Sequence, residues 1–580
     1  MYSILPTPQS LSLTDERFRL DRLSIVLAAG QDVRLTDSAY VLQQELFDLL
    51  GDRPTVFVGE LRHPCIYIAT KGETGDGYTL SVTSDGIVLA GEGPAGTFYA
   101  IQTLRQMLTS VTDRTLQGVH IADAPDLALR GIYHDVTRGK VPTLDNLKTL
   151  VDRLAYHKIN HLQLYIEDAF AFEEMNGIMQ PHEVLTPTES RALDDYCHAH
   201  FIELTPSIST FGHLYRLLQS PKYQHLCEYE NYTPTTHPWI EKMGHHTLDV
   251  SHPDSIKVVK SMIDQFAPLC HSNLFNICCD ETFDLCKGKN QGKDVGEAYF
   301  GFVRQILDHL HTLGKQGMMW GDIVHQHPER VGQLPQNTIM LNWDYREQPD
   351  ENNVIRFEQA GVTQVVCPGA STWNRFIEGI HCATGNISRL ARYGKEHGAM
   401  GVLTTNWGDF GHVGNLSAAL YGLLLGAQAG WNTDAEPDEA YELTFSRLAY
   451  GQMVNVVPLI RELASCEQLV CWGSMIHSIS VTEYEKKERP ALPEVQALRD
   501  ALARCKAVYE QMAALPQTPE QQDFLLSARG VEQVLHTYLY WAGAEQKPDA
   551  EAFLADYRTA WLRDNKPSQL SWIEYTFRSV

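Results

Sequence analysis

The sequence predicts an α/β protein: a (β/α)8 barrel preceded by a small α/β domain and followed by a helical domain. Three observations predict it. Between residues 129 and 407, eight short apolar runs each end in polar or aromatic residues and lead into a periodic helical stretch. Before about residue 125, strand-like and helical segments alternate less regularly, and after about residue 436 the strand signals vanish. The expected limits are 1–125, 126–435 and 436–580. Eight strand–helix units over about 300 residues fit a closed TIM barrel better than an open doubly wound sheet.

In the first domain, strand signals fall at Asp32 to Leu35, Cys65 to Ala69, Gly77 to Val82 and Gly86 to Leu89, before an amphipathic run from Thr97 to Leu108. The barrel strands are expected at Leu129 to Val136, His161 to Glu167, Glu203 to Ser209, Leu274 to Asp280, Gly317 to Asp322, Thr338 to Trp343, Gln364 to Pro368 and Gly401 to Trp407. After the first of these, Leu144, Leu147, Leu150, Val151 and Leu154 share one helical face, the stripe of a helix packed on a sheet. In the last domain, Val495, Leu498, Leu502, Cys505 and Tyr509 repeat at helical spacing within Pro493 to Leu515.

Composition excludes several classes. The 580 residues carry 47 basic and 72 acidic side chains, 47 − 72 = −25, which argues against nucleic acid and anionic membranes as partners. There is no apolar run of membrane-spanning length and no basic segment leading into an apolar one at Met1-Tyr2-Ser3. The twelve cysteines lack both paired zinc spacing and the density of a disulfide framework, so a reducing, cytoplasmic setting is expected. Metal sites at His245-His246 or Cys278-Cys279 lack a second ligand pair; neither metal nor organic cofactor is expected. Gly91-Glu92-Gly93-Pro94-Ala95-Gly96 matches a dinucleotide fingerprint. No acidic residue ends a second parallel strand about 20 positions on, so it reads as a turn.

The strongest chemical feature is Asp280-Glu281, closing the run Leu274-Phe275-Asn276-Ile277-Cys278-Cys279. Adjacent carboxylates at the end of a buried strand repel and desolvate one another, which splits their pKa values into an acid and an anion. His213, after the third strand, and Asp135, ending the first, are expected to join them as an Asp-His-Glu chain with His213 bridging Asp135 and Glu281. A lone His or Asp is usually a surface or capping group; their shared position at strand ends favours function. Trp320, Trp343, Trp373 and Trp407 follow the fifth to eighth strands. A single Trp is more often core, but four at successive strand ends form an apolar box suited to sugar C–H faces and acyl methyl groups. Arg130 and Asp409 are candidates to fix hydroxyls.

At these residues the sequence resembles glycoside hydrolase family 20, the exo-acting β-N-acetylhexosaminidases. The resemblance covers most of the chain. It runs from Gly77-Tyr78-Thr79-Leu80 and Gly96 to Gln106 in the first domain, through Leu129-Arg130-Gly131 and Asp135-Val136-Thr137-Arg138, to Gly212-His213, Leu248-Asp249-Val250-Ser251 and Asp280-Glu281. It implies substrate-assisted hydrolysis of terminal β-linked GlcNAc or GalNAc on an oligosaccharide or glycoconjugate. In that scheme Glu281 is the acid and base, Asp280 holds the acetamido N–H, Trp320, Trp343 and Trp407 enclose the sugar and its methyl, and Arg130 and Asp409 take outer hydroxyls. The family's seventh strand supplies a Tyr for the acetamido oxygen; here it reads Pro368-Gly369-Ala370-Ser371-Thr372-Trp373-Asn374, leaving Tyr345 or the Trp373 indole for that role. The approach to His213, Thr205 to Phe211, also lacks the family's acidic and Pro-Gly residues, marking a divergent branch. In such relatives the helical domain can support a homodimer.

Two other readings compete. One is a barrel glycosidase using two separated carboxylates, the second being Asp168 or Asp322; the other is a non-catalytic sugar-binding protein that keeps the Trp box. The intact Asp-Glu pair disfavours the latter, because binding alone needs no proton donor beside an anion.

Overall fold

The computed structural model describes residues 2–580 apart from 22, 112, 230–236, 245 and 480–490, so His245 lies outside the described residues. The first domain is a seven-stranded mixed sheet ordered β1-β7-β5-β6-β4-β2-β3, with strands β1 (Ser10–Arg19), β2 (Ser24–Leu27), β3 (Thr55–Val58), β4 (Ile66–Thr70), β5 (Tyr78–Val82), β6 (Ile87–Gly91) and β7 (Thr115–Asp123). Asp32 to Leu35, expected as strand, instead leads into the helix Arg34–Leu50. The glycine motif is the turn from β6 into the helix Pro94–Leu108. A Cβ on Gly91 would lie 2.1 Å from the Thr97 amide and one on Gly96 2.2 Å from the Gly77 carbonyl, so both glycines serve close helix–sheet contact.

Eight parallel strands follow: β8 (Leu129–Asp135), β9 (His161–Tyr165), β10 (Glu203–Thr205), β11 (Leu274–Asn276), β12 (Gln316–Trp320), β13 (Ile339–Trp343), β14 (Gln364–Cys367) and β15 (Gly401–Asn406). They pair in ring order. The seam between β10 and β11 closes through the Ile208 amide to the Asn276 carbonyl (3.1 Å) and the Asn276 amide to the Pro206 carbonyl (2.8 Å). Strands covered on both faces have no polar side to show, hence the near-continuous apolar runs in the sequence. Tyr133, Met318, Leu341, Val365 and Leu403 fill the barrel, and Trp320 and Trp407 belong to the same buried cluster.

Helices alternate with the strands. Leu144–Tyr156 is capped by Thr143, whose hydroxyl accepts the Asn146 amide, and buries Leu147, Leu150, Val151 and Leu154. From Glu439 onward the described elements are all helical. Val495–Ala513 buries Leu498, Leu502, Cys505, Val508 and Met512, leaving Tyr509 only partly covered. This helical region braces the barrel's upper loops: the Trp472 indole donates to the Phe410 carbonyl (2.7 Å), the Tyr557 hydroxyl to the Val413 carbonyl (2.7 Å), and Glu467 accepts the amides of Phe376 (2.8 Å) and Ile377 (3.0 Å). All twelve cysteines are free. Among the described residues no helix is long and apolar enough to cross a membrane.

Candidate active site

A pocket of about 280 Å³ opens at the carboxyl ends of the barrel strands, lined by Arg138, Met243, Asp280, Glu281, Trp320, Trp343, Tyr345, Trp373, Trp407 and Asp409. Its floor carries the acid pair. β11 stops at Asn276 rather than running to Asp280, because the backbone turns left-handed at Cys278 (φ 57°), Cys279 (φ 65°) and Glu281 (φ 47°). Non-glycine residues rarely adopt this conformation, which costs about 1–3 kcal/mol each. Four hydrogen bonds pin the turn: the Cys278 amide to Asn276 Oδ1 (2.8 Å), Thr210 Oγ1 to the Ile277 carbonyl (2.6 Å), the Tyr299 hydroxyl to the Cys279 carbonyl (2.8 Å), and the Glu281 amide to Asp322 Oδ2 (3.0 Å).

His213, itself left-handed at φ 59°, is buried against the pair, with Nε2 3.5 Å from Asp280 Oδ2 and 3.4 Å from Glu281 Oε2. Burial alone would favour the neutral ring; Asp280 and Glu281 outweigh it and raise the imidazole to about 10, so it is a cation at neutral pH. Its other nitrogen faces Glu167 Oε1 at 3.9 Å. The carboxylate behind His213 is therefore Glu167, two residues beyond β9, and not Asp135 as expected. Asp135 accepts the amides of Thr137 (3.0 Å), Arg138 (3.1 Å) and Gly408 (3.0 Å), tying the exits of β8 and β15 together. Burial pushes its carboxyl up, but Arg138, His412 and the amides outweigh that and hold it below the ordinary range.

Arg130 is also corrected. It is wholly buried at the amino end of β8, donating to the carbonyls of Lys158 (3.1 Å), Leu127 (3.0 Å) and Ala128 (3.0 Å), to Asp76 (2.9 Å) and to the Tyr99 hydroxyl (3.2 Å). That places it at the joint with the first domain, at the opposite end of the strand from the pocket. The pocket arginine is Arg138, 3.0 Å from Asp409, 3.3 Å from Glu167 and 3.4 Å from Asp135, with its guanidinium over the rings of Tyr165 and Trp407. Asp409 is shifted upward by burial, with Arg138 opposing and Asp135 and Glu281 adding to the rise.

The aromatic wall brings together all five aromatic residues named from the sequence. Trp343 stacks on Tyr345 (centroids 4.9 Å, planes 22° apart), Tyr345 meets Trp373 at 5.2 Å, and Trp320 meets Trp407 at 5.8 Å. The Trp407 indole donates to the Tyr345 hydroxyl (2.7 Å), fixing that oxygen at the pocket wall. Asp168 lies outside the lining, held by Lys242 (2.9 Å), and Asp322 also lies outside it, accepting the Glu281 amide (3.0 Å). The carboxylates lining the pocket are therefore Asp280, Glu281 and Asp409, the last paired with Arg138.

Sequence reasoning did not select Glu167, although it closes the expected strand His161 to Glu167 as Asp280 closes its own; β9 itself stops two residues earlier, at Tyr165. It also missed Met243 and Lys242, which the connection between β10 and β11 brings to the pocket and to Asp168 with no strand-end signal. Cys278 and Cys279 are buried thiols pushed upward mainly by burial, the reverse of what a thiolate ligand needs. Among the described residues, the His/acid groupings close enough to share an ion, for example His225 with His252 and Asp254, include no pocket residue.

An acid pair beneath an aromatic pocket, at the carboxyl end of a (β/α)8 barrel, defines a protein of the barrel glycosidase class. The chain belongs to glycoside hydrolase family 20: residues 1–124 match the model for glycosyl hydrolase family 20, domain 2, and residues 128–379 that for the family's catalytic domain. It is 24% identical over 380 residues to a β-hexosaminidase of Porphyromonas gingivalis, covering 59% of this chain and 47% of that protein. It is 34% identical over 159 residues to a β-hexosaminidase of Akkermansia muciniphila, covering 24% and 32%. The chain thus spans half or less of the length of these relatives. Its fold is similar to that of a chitobiase of Flavobacterium johnsoniae, with TM-score 0.65, 16% identity and 96% of each chain covered.

Proposed function

We propose that the protein is an exo-β-N-acetylhexosaminidase that removes terminal β-linked GlcNAc or GalNAc with retention, through the substrate's own acetamido group. The observation that carries this reading is the placement of Asp280 and Glu281, with the His213 cation against them, at the floor of an aromatic pocket whose one other lining carboxylate among the described residues, Asp409, is paired with Arg138. A pocket rather than a groove suits a chain-terminal sugar.

The acetamido oxygen attacks the anomeric carbon while Glu281 gives its proton to the departing glycosidic oxygen, leaving an oxazolinium ion and a free aglycone alcohol. Asp280 accepts the acetamido N–H, orienting the group and balancing the positive charge that develops on it. Water then attacks the anomeric carbon, Glu281 takes its proton, and the ring opens to the β-configured sugar. Tyr345, its oxygen held by Trp407, offers its hydroxyl proton to the acetamido oxygen; Trp320, Trp343, Trp373 and Trp407 cover the methyl and the sugar face; Arg138 with Asp409 takes the outer hydroxyls. Residues 1–125, 126–435 and 436–580 form the three units of this enzyme, and a homodimer built on the last is part of the proposal.

The test is hydrolysis of nitrophenyl β-GlcNAc, β-GalNAc and β-glucoside with and without a thiazoline mimic of the bicyclic intermediate. Turnover of the acetamido sugars alone, blocked by the thiazoline, is expected. Turnover of the glucoside, or indifference to the thiazoline, would point to the two-carboxylate route; sugar binding without turnover would leave a binding protein.

A further inference from the structure

Three carboxylates, not two, meet at the exit of β11. Asp322, the first residue after Gly321 at the end of β12, is half-buried, and its Oδ2 accepts the Glu281 amide at 3.0 Å. Its other oxygen, Oδ1, is buried with no hydrogen-bond partner among the described residues. The residue it grips sits at φ 47°, a conformation that must be imposed by its surroundings. Nothing about an ordinary surface acid resembles this. A carboxyl oxygen buried without a partner beside two other carboxylates is costly unless the grip of its twin on the turn offsets that cost.

We propose that Asp322 is the positioning residue for the proton donor: by holding the Glu281 amide it fixes the left-handed turn from which the Glu281 side chain enters the pocket. The inference rests on the hexosaminidase reading and gives Glu281 its geometry. A donor displaced by about 1 Å loses on the order of 100-fold in rate, so the turn is worth holding. The groups that act on Asp322 are Asp280 and Glu281 from the same turn, with Cys279 beside them and Tyr299 on the helix Val295–Thr312. Burial first, then Asp280, push its carboxyl up to about 7, while the Glu281 amide pulls the other way. A protonated Asp322 limits charge crowding under the donor.

The experiment compares wild type, Asp322→Asn and Asp322→Ala on two β-GlcNAc substrates, a dinitrophenyl glycoside whose leaving group needs no proton and a chitobiose-type sugar whose leaving group does. The expected result is a loss of about 100-fold on the disaccharide with Asp322→Ala, and under about 5-fold on the dinitrophenyl glycoside. Asp322→Asn, which keeps an oxygen for the amide, should recover most of the loss on the disaccharide while altering the pH profile of its turnover. Equal losses on both substrates would make Asp322 merely structural, and an Ala variant as active as wild type on the disaccharide would overturn the inference outright. Where the Ala variant fails to fold, the Asn variant decides: an unchanged leaving-group ratio together with an unchanged pH profile overturns it. Wild-type turnover of neither acetamido substrate would instead bring down the hexosaminidase reading, and this inference with it.

Discussion

Arg130 and Arg138 leave the same stretch of chain, flank the two ends of β8 and are both buried, yet their surroundings have opposite characters. Arg130 is enclosed by three backbone carbonyls, a phenol and Asp76, with every partner supplied by the fold and its guanidinium over the rings of Tyr99 and Trp431. Arg138 stands among three carboxylates, Asp135, Glu167 and Asp409, and reaches a pocket. The first arrangement fixes a domain joint; the second sets charge in the wall of the pocket. The difference follows the polarity of parallel strands: their amino ends are free to be stability elements, while their carboxyl ends collect loops and chemistry.

The largest expected effect sharpens the upper end. Glu281→Gln should cut turnover of a disaccharide by about 1,000-fold and that of a dinitrophenyl glycoside much less, since general acid catalysis is worth 10²–10⁴ where the leaving group needs a proton. Steady-state kinetics on both substrates check it. Next comes the direct contrast. Arg138→Ala should lower kcat/KM by about 100-fold with the protein still folded, because it withdraws a buried hydroxyl donor and leaves Asp409 and Glu167 facing each other. Arg130→Ala should leave the kcat/KM of the folded protein within about 2-fold but lower its melting temperature, as loss of a buried, multiply bonded cation costs about 3–5 kcal/mol. Kinetics paired with thermal denaturation distinguish them, and a reversed pattern would break the comparison. Tyr345→Phe, removing one hydroxyl beside Trp407, should reduce kcat by about 10-fold or more, with Trp373→Phe as the control for the indole alternative.

Much of this was legible in the sequence because the barrel's physics is local. Seven of the eight strands lie inside the apolar runs expected for them and β12 starts one residue early, since a strand buried on both faces must be written that way. Strand ends were less legible: β11 stops at Asn276 because left-handed Cys278 and Cys279 are held by Asn276, Thr210 and Tyr299, partners remote in sequence or hidden in rotamers. The two arginines sit eight positions apart in one motif, and composition cannot say which end of a strand faces a ligand. Glu167 could have been found by the rule that selected Asp135. Lys242 and Met243 could not, because a long connection between β10 and β11 carries Met243 to the pocket and Lys242 to Asp168 without a motif.

The smallest expected effect tests whether the helical region belongs with the upper end of the barrel or only with its stability. Glu467 lies in that region, is buried, and accepts the amides of Phe376 and Ile377 in the loop that carries Trp373. Burial raises its carboxyl to about 7, with Arg375 and the two amides opposing the rise, against an ordinary value of 4.5. The folded state therefore binds a proton that the unfolded chain has released. The stability from this group is fully present below about pH 4.5 and is lost as pH rises through about 7, up to about 3 kcal/mol in all. Glu467→Gln cannot titrate and has one acceptor oxygen for two amides, so it should be less stable at pH 5 yet lose less on going to pH 8. Melting curves across that range should converge; parallel curves would mean that Glu467 does not titrate in the window. A KM for the acetamido sugar that rises in the Gln variant with kcat held would tie the helical region to the pocket through Trp373, whereas unchanged kinetics would confine Glu467 to the same structural role as Arg130.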